Sequence, residues 1–200
     1  MIRTTPTSNE KHTRIISDKL EEVLFPRNRL IILTNDPSIR GWGWVVIENG
    51  VVLDCGCIKT EPKAKKLRTR KGDDNIRRIN EINTSLLSII ETYGVNYLIS
   101  ELPHGSQSAS AAATIGMCLG IIQTISDCKA IGVEYYSEGD AKMNLLGKRA
   151  AEKDETIQAI KKLYKISWKG TKYIDEAVAD AMAVYHVATR QSATLKLFKK

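Results

Sequence analysis

Residues 30–59 read LIILTNDPSIRGWGWVVIENGVVLDCGCIK, and this stretch decides the fold. A short apolar run at 30–33 leads to Asp36 and Pro37, and two more β-type runs, 43–48 and 51–59, flank the dipeptide Asn49-Gly50. Asn-Gly between two such runs is the strongest short signal for a tight hairpin turn. The stretch therefore predicts three successive antiparallel strands.

Helices and strands alternate along the rest of the chain. Apolar periodicity predicts an amphipathic helix over 74–93, a buried strand over 95–100, a helix rich in small residues over 107–129, a strand over 131–136, a helical region over 140–164 that breaks near Gly147, and a last helix over 175–189. This order is that of a ribonuclease H-like α/β fold, a mixed five-stranded sheet of three antiparallel and then parallel strands with helices on both faces.

One domain over 30–190 accounts for most of the 200 residues. We expect residues 1–29 to form an arm with a short amphipathic helix, and 191–200 a basic tail. With 42% hydrophobic and 26% charged residues, the composition excludes a disordered or fibrous chain.

The cellular setting is also suggested by what the sequence contains. No stretch resembles the run of about 20 apolar residues that a membrane span needs, and no secretory signal is evident. Four cysteines without a zinc-site spacing fit free thiols in a reducing compartment. These features predict a cytoplasmic protein, of a bacterium or of a phage-infected cell, with no membrane partner.

Positive charge is concentrated in two segments. The chain carries a net charge of +7, but residues 59–78 and 142–172 each hold nine basic and three acidic residues, so each has a net charge of +6. Two basic segments on a mildly acidic body are expected when a polyanionic backbone is gripped at two places, although solvated surface faces give the same pattern.

Four carboxylates stand where metal ligands are needed. Asp36 and Glu101 each follow an apolar strand, while Glu176 and Asp180 are four residues apart and share one helix face. Oxygen ligands of this kind suit Mg²⁺, and a pair of ions about 4 Å apart would support phosphodiester hydrolysis. Taken singly, Asp36 also fits a turn, Glu101 fits a helix cap or an arginine partner, and Asp175 fits an N-cap.

Four sequence blocks resemble the RuvC family of Holliday junction resolvases, in a divergent or phage-type form. The first block spans 32–60 and contains Asp36, and the second joins Glu101 to Gly116-x-x-x-Gly120. The third and most specific is AKMNLLGKRAAEK at 141–153, and the fourth is ADAMA at 179–183 with Asp180. The resemblance covers about residues 30–188.

The resemblance implies a role for particular residues. Asp36, Glu101, Glu176 and Asp180 would hold two Mg²⁺ ions, with Mn²⁺ as a substitute, and Lys142 and Lys153 would hold the scissile region. The family often has an acidic or metal-binding residue at the position of Ala177, so either Glu176 or Asp175 completes the ligand set. His104 stands where the family often has an aromatic residue that stacks at the crossover. Further contacts with DNA are expected from Lys148 and Arg149, and from a backbone-binding loop or hairpin tip with Lys65, Lys66, Arg68, Arg70 and Lys71.

The function implied is paired, symmetric nicking of four-way DNA junctions by a homodimer, leaving 5′-phosphate ends. Small residues over 107–129 suit close helix packing across a two-fold axis. Two alternatives stay open: another ribonuclease H-like nuclease, acting on RNA–DNA hybrids, flaps or forks, and a catalytically inactive subunit that binds branched DNA.

Overall fold

A single five-stranded sheet organises the chain. The computed structural model describes residues 29–64, 68–103, 105–106 and 108–198. The strands are β1 (Ile31–Asp36), β2 (Gly41–Glu48), β3 (Val51–Lys59), β4 (Tyr97–Leu102) and β5 (Gly132–Ser137), in the spatial order β3-β2-β1-β4-β5. The first three strands are antiparallel, and β1, β4 and β5 are parallel. The predicted ribonuclease H-like sheet is confirmed.

Six described helices surround the sheet: α1 (Lys71–Tyr93), α2 (Ala109–Lys129), α3 (Glu138–Leu146), α4 (Lys153–Leu163), α5 (Lys172–Gln191) and α6 (Ala193–Leu197). Helix α1 ends at Gly94, whose φ of 67° is left-handed. The β2–β3 hairpin turns through Asn49 (φ 49°) and Gly50 (φ 82°), the residues that the Asn-Gly signal indicated.

Strand alternation divides the core between the two faces of the sheet. On β1, Ile32 points to a core shared with α5 and with Ile160 of α4. Its neighbours Ile31 and Leu33 point to a second core, shared with α1 and α2. Helices therefore cover both faces, and Trp42 is fully buried in the second core, where its indole N–H donates to Asn35.

The predicted helix boundaries are right in one place and wrong in another. The break expected near Gly147 is confirmed: Gly147 adopts a left-handed φ of 73° and ends α3, and residues 147–152 separate α3 from α4. The final helix begins at Lys172, so Asp175 lies in its first turn and Thr171 is the N-cap. Residues 60–64 and 68–70 lie between β3 and α1, which agrees with the loop alternative of the predicted basic segment.

The C-terminal residues up to Phe198 are described, whereas those before Arg29 are not. Residues 1–28, with the predicted amphipathic helix, lie outside the described residues. In the predicted basic tail, Ser192 accepts from the backbone N–H of Leu195 at 3.0 Å and caps α6. Leu195 is buried in the core beside α5.

One helix departs from the expectation about membrane spans. By length and composition alone, α2 is apolar enough to cross a membrane, the only such helix among the described residues. Its residues Cys118, Ile122 and Ile125 pack into the second core, against the sheet and α1. Most of the other residues of α2 are partly or fully exposed.

Candidate active site

Two acidic residues end neighbouring parallel strands. Strands β1 and β4 are paired up to Asn35 and Ser100, so Asp36 and Glu101 follow side by side. Adjacent strands lie about 4.8 Å apart. Because Thr34 and Asp36 continue the face that carries Ile32, and Glu101 continues that of Ile99, both carboxylates point to the α5 face.

Helix α5 comes unusually close to the sheet beside this pair. Gly43, which pairs with Asp36 across β1 and β2, faces the backbone of Ala177: a Cβ at Gly43 would lie 2.1 Å from the Ala177 carbonyl oxygen. Only glycine permits this approach. The contact seats the helix turn that carries Glu176 and Asp180 beside the end of β1.

The three carboxylates of Asp36, Glu101 and Asp180 influence one another. Burial and the charge of Asp180 raise the pKa of Asp36, and burial and the charge of Asp36 raise the pKa of Glu101. Burial raises the pKa of Asp180 to about 6, against the opposing effect of Lys153 and Lys142. Within the described residues none of the three carboxylates accepts a hydrogen bond or forms an ion pair. Half-buried carboxylates without partners are costly unless a cation joins them.

Two lysines act electrostatically on the carboxylates. Lys153, the first residue of α4, donates to Glu176 at 3.1 Å and lowers the pKa of Asp36. Lys142 of α3 lowers the pKa of Glu101 instead. Burial lowers the pKa of each lysine, but the surrounding carboxylates raise it overall. The two lysines predicted to hold the scissile region therefore both lie at the acidic cluster.

Glu138 is a site residue that the sequence analysis missed. Glu138 comes directly after the last residue of β5, and Glu101 lies near the end of the neighbouring strand β4. The Glu138 carboxylate accepts a hydrogen bond from the Lys142 ammonium at 2.5 Å. Its charge raises the pKa values of Asp36, Glu101 and Asp180. The signal was present, because a carboxylate directly after a strand is the pattern that identified Asp36.

Predicted DNA contacts beside Lys142 form one open groove. It has a volume of about 640 Å³ and lies between α3 and α4, with Lys142, Lys148 and Arg149 in its wall. Lys148 donates to Glu155 at 2.6 Å, and Arg149 lies 3.8 Å from Asp140. The groove joins the acidic cluster at Glu138, so a bound strand could run from one to the other.

The structure separates the two candidates for the fourth ligand. Glu176 lies with Lys153 and acts electrostatically on Asp180. Asp175 is buried, accepts from the backbone N–H of Lys169 at 3.1 Å, and acts on Cys55 of β3. Asp175 therefore holds the loop before α5, and Glu176 remains the candidate ligand.

Three of the predicted DNA contacts lie outside the described residues: Lys65 and Lys66 between β3 and α1, and His104 after β4. Arg68 is exposed, Arg70 donates to Asp73 at 2.7 Å, and Lys71 donates to Ser110 of α2 at 2.5 Å.

The donor set fits a hard divalent cation by its chemistry. Four carboxylates, all from Asp or Glu, supply only oxygen ligands, and three of them lack a partner on the described chain. No described group of three or more His, Cys, Asp or Glu side chains is already set at metal-binding distances. The fit is therefore one of ligand type, burial and charge.

A ribonuclease H-like sheet with carboxylates at the ends of β1 and β4 and on a facing helix defines a class of nucleases. The family model described as "Crossover junction endodeoxyribonuclease RuvC" matches residues 32–186, more than half of the chain. The chain belongs to the RuvC family, whose members are divalent-metal-dependent nucleases.

Individual relatives agree with this assignment. The chain is 28% identical over 166 residues to the crossover junction endodeoxyribonuclease RuvC of Shewanella frigidimarina, covering 81% of this chain and 89% of the relative. With the protein of the same name from Endomicrobium trichonymphae it is 29% identical over 165 residues, covering 80% and 82%.

Solved structures share the fold. T. thermophilus RuvC in complex with Holliday junction substrate superposes with a TM-score of 0.61 at 18% identity, covering 80% of this chain and 93% of that one. The yeast mitochondrial Holliday junction resolvase Ydc2 gives a TM-score of 0.59 at 9% identity, covering 91% and 88%. At these identities the likeness concerns the fold.

Proposed function

We propose that this protein is a structure-selective endonuclease that resolves four-way DNA junctions by paired, symmetric nicks, leaving 5′-phosphate ends. One observation carries the proposal: β1, β4 and α5 bring together three carboxylates that have no partner among the described residues, and a lysine from α3 and another from α4 act on them. An acidic cluster between two cations suits a phosphodiester, whose charge grows during attack.

Each residue has a role in this proposal. Asp36, Glu101, Asp180 and Glu176 hold the metal. Lys153 and Lys142 contact the phosphates that flank the scissile bond and offset charge on it. Without DNA, Lys153 forms an ion pair with Glu176 and Lys142 forms one with Glu138. When DNA binds, each lysine leaves its carboxylate and contacts a phosphate instead.

The metal we propose is Mg²⁺, two ions at each site, with Mn²⁺ as a substitute. When bound, such ions polarise the attacking water and stabilise the leaving oxygen. The chain itself supplies oxygen ligands from two neighbouring strands and a packed helix, which bring the carboxylates to one region of the molecule.

Two nicks placed symmetrically require two active sites, and we propose that α2 joins two copies of the chain. Its exposed face carries Ala109, Ala113, Gly116 and Gly120, and a Cβ added at either glycine would meet nothing within 4 Å on the described chain. Small residues at helical spacing allow two helices to pack closely across a two-fold axis.

Family membership favours branched DNA over RNA–DNA hybrids as the substrate. The basic groove beside Lys142 supports the same choice, because it adds contacts beyond the scissile phosphate. We propose that the protein acts in the cytoplasm, where bacterial and phage DNA recombine.

The test is cleavage of synthetic four-way junctions with Mg²⁺ or with EDTA. Asp36→Asn keeps the shape of the side chain but removes one ligand charge, and we expect it to lower the rate at least ~10³-fold while junction binding persists. Equal cutting in EDTA, or by the variant, would overturn the mechanism. Binding without cleavage by the wild type would identify an inactive subunit, and preference for RNA–DNA hybrid would identify the other nuclease class.

A further inference from the structure

The second basic segment contains two kinds of cation. Near the active site, Lys142, Lys148, Arg149, Lys153 and Lys172 each lie within 4.0 Å of a carboxylate. Farther along, Lys161, Lys162, Lys165 and Lys169 are exposed, and none has an ion-pair partner among the described residues. The end of α4 and the loop that follows therefore carry four positive charges without an ion-pair partner on the described chain, and two of them, Lys161 and Lys165, line one groove.

An aromatic residue organises this second group. The ammonium of Lys161 lies 5.0 Å from the ring centroid of Trp168, a cation–π contact. Lys161, Lys165 and Trp168 line an open groove of about 490 Å³ with Tyr164 and Ser167. The contact restrains a long side chain that would otherwise lose entropy on binding a ligand.

Helix α4 fixes the distance between this group and the active site. Lys153 begins the helix and Lys161 lies eight residues on, about 12 Å along the axis at 1.5 Å per residue. One strand of duplex DNA rises about 3.4 Å per nucleotide. A DNA strand that runs along α4 from a phosphate held at Lys153 would therefore reach Lys161 after about three to four nucleotides.

We propose that Lys161, Lys165 and Trp168 form a binding surface for the sugar-phosphate backbone of one duplex arm, about three to four nucleotides from the scissile phosphate. This inference rests on the proposed function, and it adds the place on the protein where one duplex arm of the junction lies. The lysines contact phosphates without reading sequence, and Trp168 acts as a positioning residue that holds Lys161 in place.

The test compares full-length variants for binding to a four-way junction in EDTA at several salt concentrations. For Lys161→Gln/Lys165→Gln we expect about 10- to 30-fold weaker binding near physiological salt, and a slope of log affinity against log salt smaller by about 2. The double variant Lys129→Gln/Lys196→Gln removes the same charge from exposed sites elsewhere and should change neither quantity.

Trp168 is tested by a change that keeps every charge. Trp168→Leu should weaken binding several-fold without changing the salt slope, and Trp168→Phe should restore most of the affinity because a ring again faces Lys161. Hydroxyl-radical footprints should lose protection about three to four nucleotides from the cut in the lysine variant, with protection at the crossover kept.

The outcomes separate this inference from the proposed function. If the wild type does not bind junctions, the proposed function is wrong. If the wild type binds and the lysine variant keeps its affinity and slope, the surface is wrong while the function stands. An equal loss on single-stranded DNA would also overturn the surface, because it requires a duplex arm.

Discussion

Helices α5 and α2 are both long, rich in alanine and packed on the same sheet, yet they use their apolar residues differently. Helix α5 buries twelve residues, all of them in the run 175–188, and α2 buries five of 21. Within that run of α5, the half-buried exceptions are Glu176 and Asp180, at the acidic cluster. Helix α5 buries its apolar surface inside the monomer and so places two carboxylates, whereas α2 leaves much of its apolar surface exposed, on the face that we propose as the dimer interface.

The close packing of α5 on the sheet at Gly43 should be disrupted by a single substitution. Gly43→Ala would place a Cβ 2.1 Å from the Ala177 carbonyl oxygen, so the helix backbone must move. We expect the free energy of unfolding to fall by about 2–4 kcal/mol, measured by urea denaturation.

Gly41→Ala is the matched control on the same strand. Its added Cβ would meet the phenol of Tyr173, a side chain at the surface that can rotate away. We expect a loss below about 1 kcal/mol. Equal losses in the two variants would show that the close approach of α5 does not depend on Gly43.

The outward face of α2 is tested by Gly116→Glu. A Cβ at this position meets nothing within 4 Å on the described chain, so the monomer should fold normally. Two-fold symmetry places the new charge in the interface twice, and the dimer should dissociate at least about 30-fold more readily in analytical ultracentrifugation.

Gly72→Glu supplies the comparison for that experiment. Gly72 lies in α1, is exposed, and also has nothing within 4 Å of an added Cβ among the described residues. It should leave the dimer intact. If Gly116→Glu did so too, the interface would lie elsewhere on the molecule.

The carboxylates of the acidic cluster should make the metal-free protein sensitive to pH. Their folded pKa values lie above the unfolded ones, so ionisation destabilises the fold as the pH rises from about 4 through the folded values. Asp36→Asn should therefore melt ~3–6 °C above the wild type in EDTA at about pH 8, and at nearly the same temperature at about pH 5.

Divalent cations should reverse that difference. At the higher pH, Mg²⁺ should raise the melting temperature of the wild type more than that of Asp36→Asn, because the variant has lost a ligand charge. A variant no more stable than the wild type in EDTA would show that Asp36 is not under electrostatic strain.

The smallest expected effect belongs to Glu138. Glu138→Gln removes one negative charge near the metal ligands, so the Mg²⁺ concentration for half-maximal cleavage should rise about two- to fivefold. Junction binding in EDTA should tighten, because Lys142 loses its carboxylate partner. The control Glu91→Gln removes one negative charge from an exposed site on α1, and it should change neither the Mg²⁺ requirement nor junction binding. An equal effect of Glu91→Gln would show that Glu138 acts only through the net charge of the protein.

Much of the architecture follows from local signals. The Asn49-Gly50 turn, the three antiparallel strands and the stop of α1 at Gly94 depend on backbone preferences of single residues, so the sequence predicts them. The start of α5 was missed because the helix begins at Lys172, three residues before its first buried position, so its apolar pattern does not mark the start.

The site was predictable only in part. Asp36, Glu101, Asp180 and the two lysines stand out by position in the chain and by family resemblance, and the structure brings them to one cluster. Glu138 was missed although it follows a strand, because only the sheet order shows that β5 brings it beside Glu101. The roles of Glu176 and Asp175 separate only once the packing of α5 is known.

By itself, the sequence determined which strands and helices form and which side chains can serve as metal ligands or contact phosphate, because turn chemistry, periodicity and ionisable groups are local properties. Tertiary structure alone decided which carboxylates share an environment, which lysines are paired with acids, and which apolar helix face stays uncovered. Those properties depend on distances between residues far apart in the chain, and such distances are set by how α5 and α2 pack on opposite faces of the sheet.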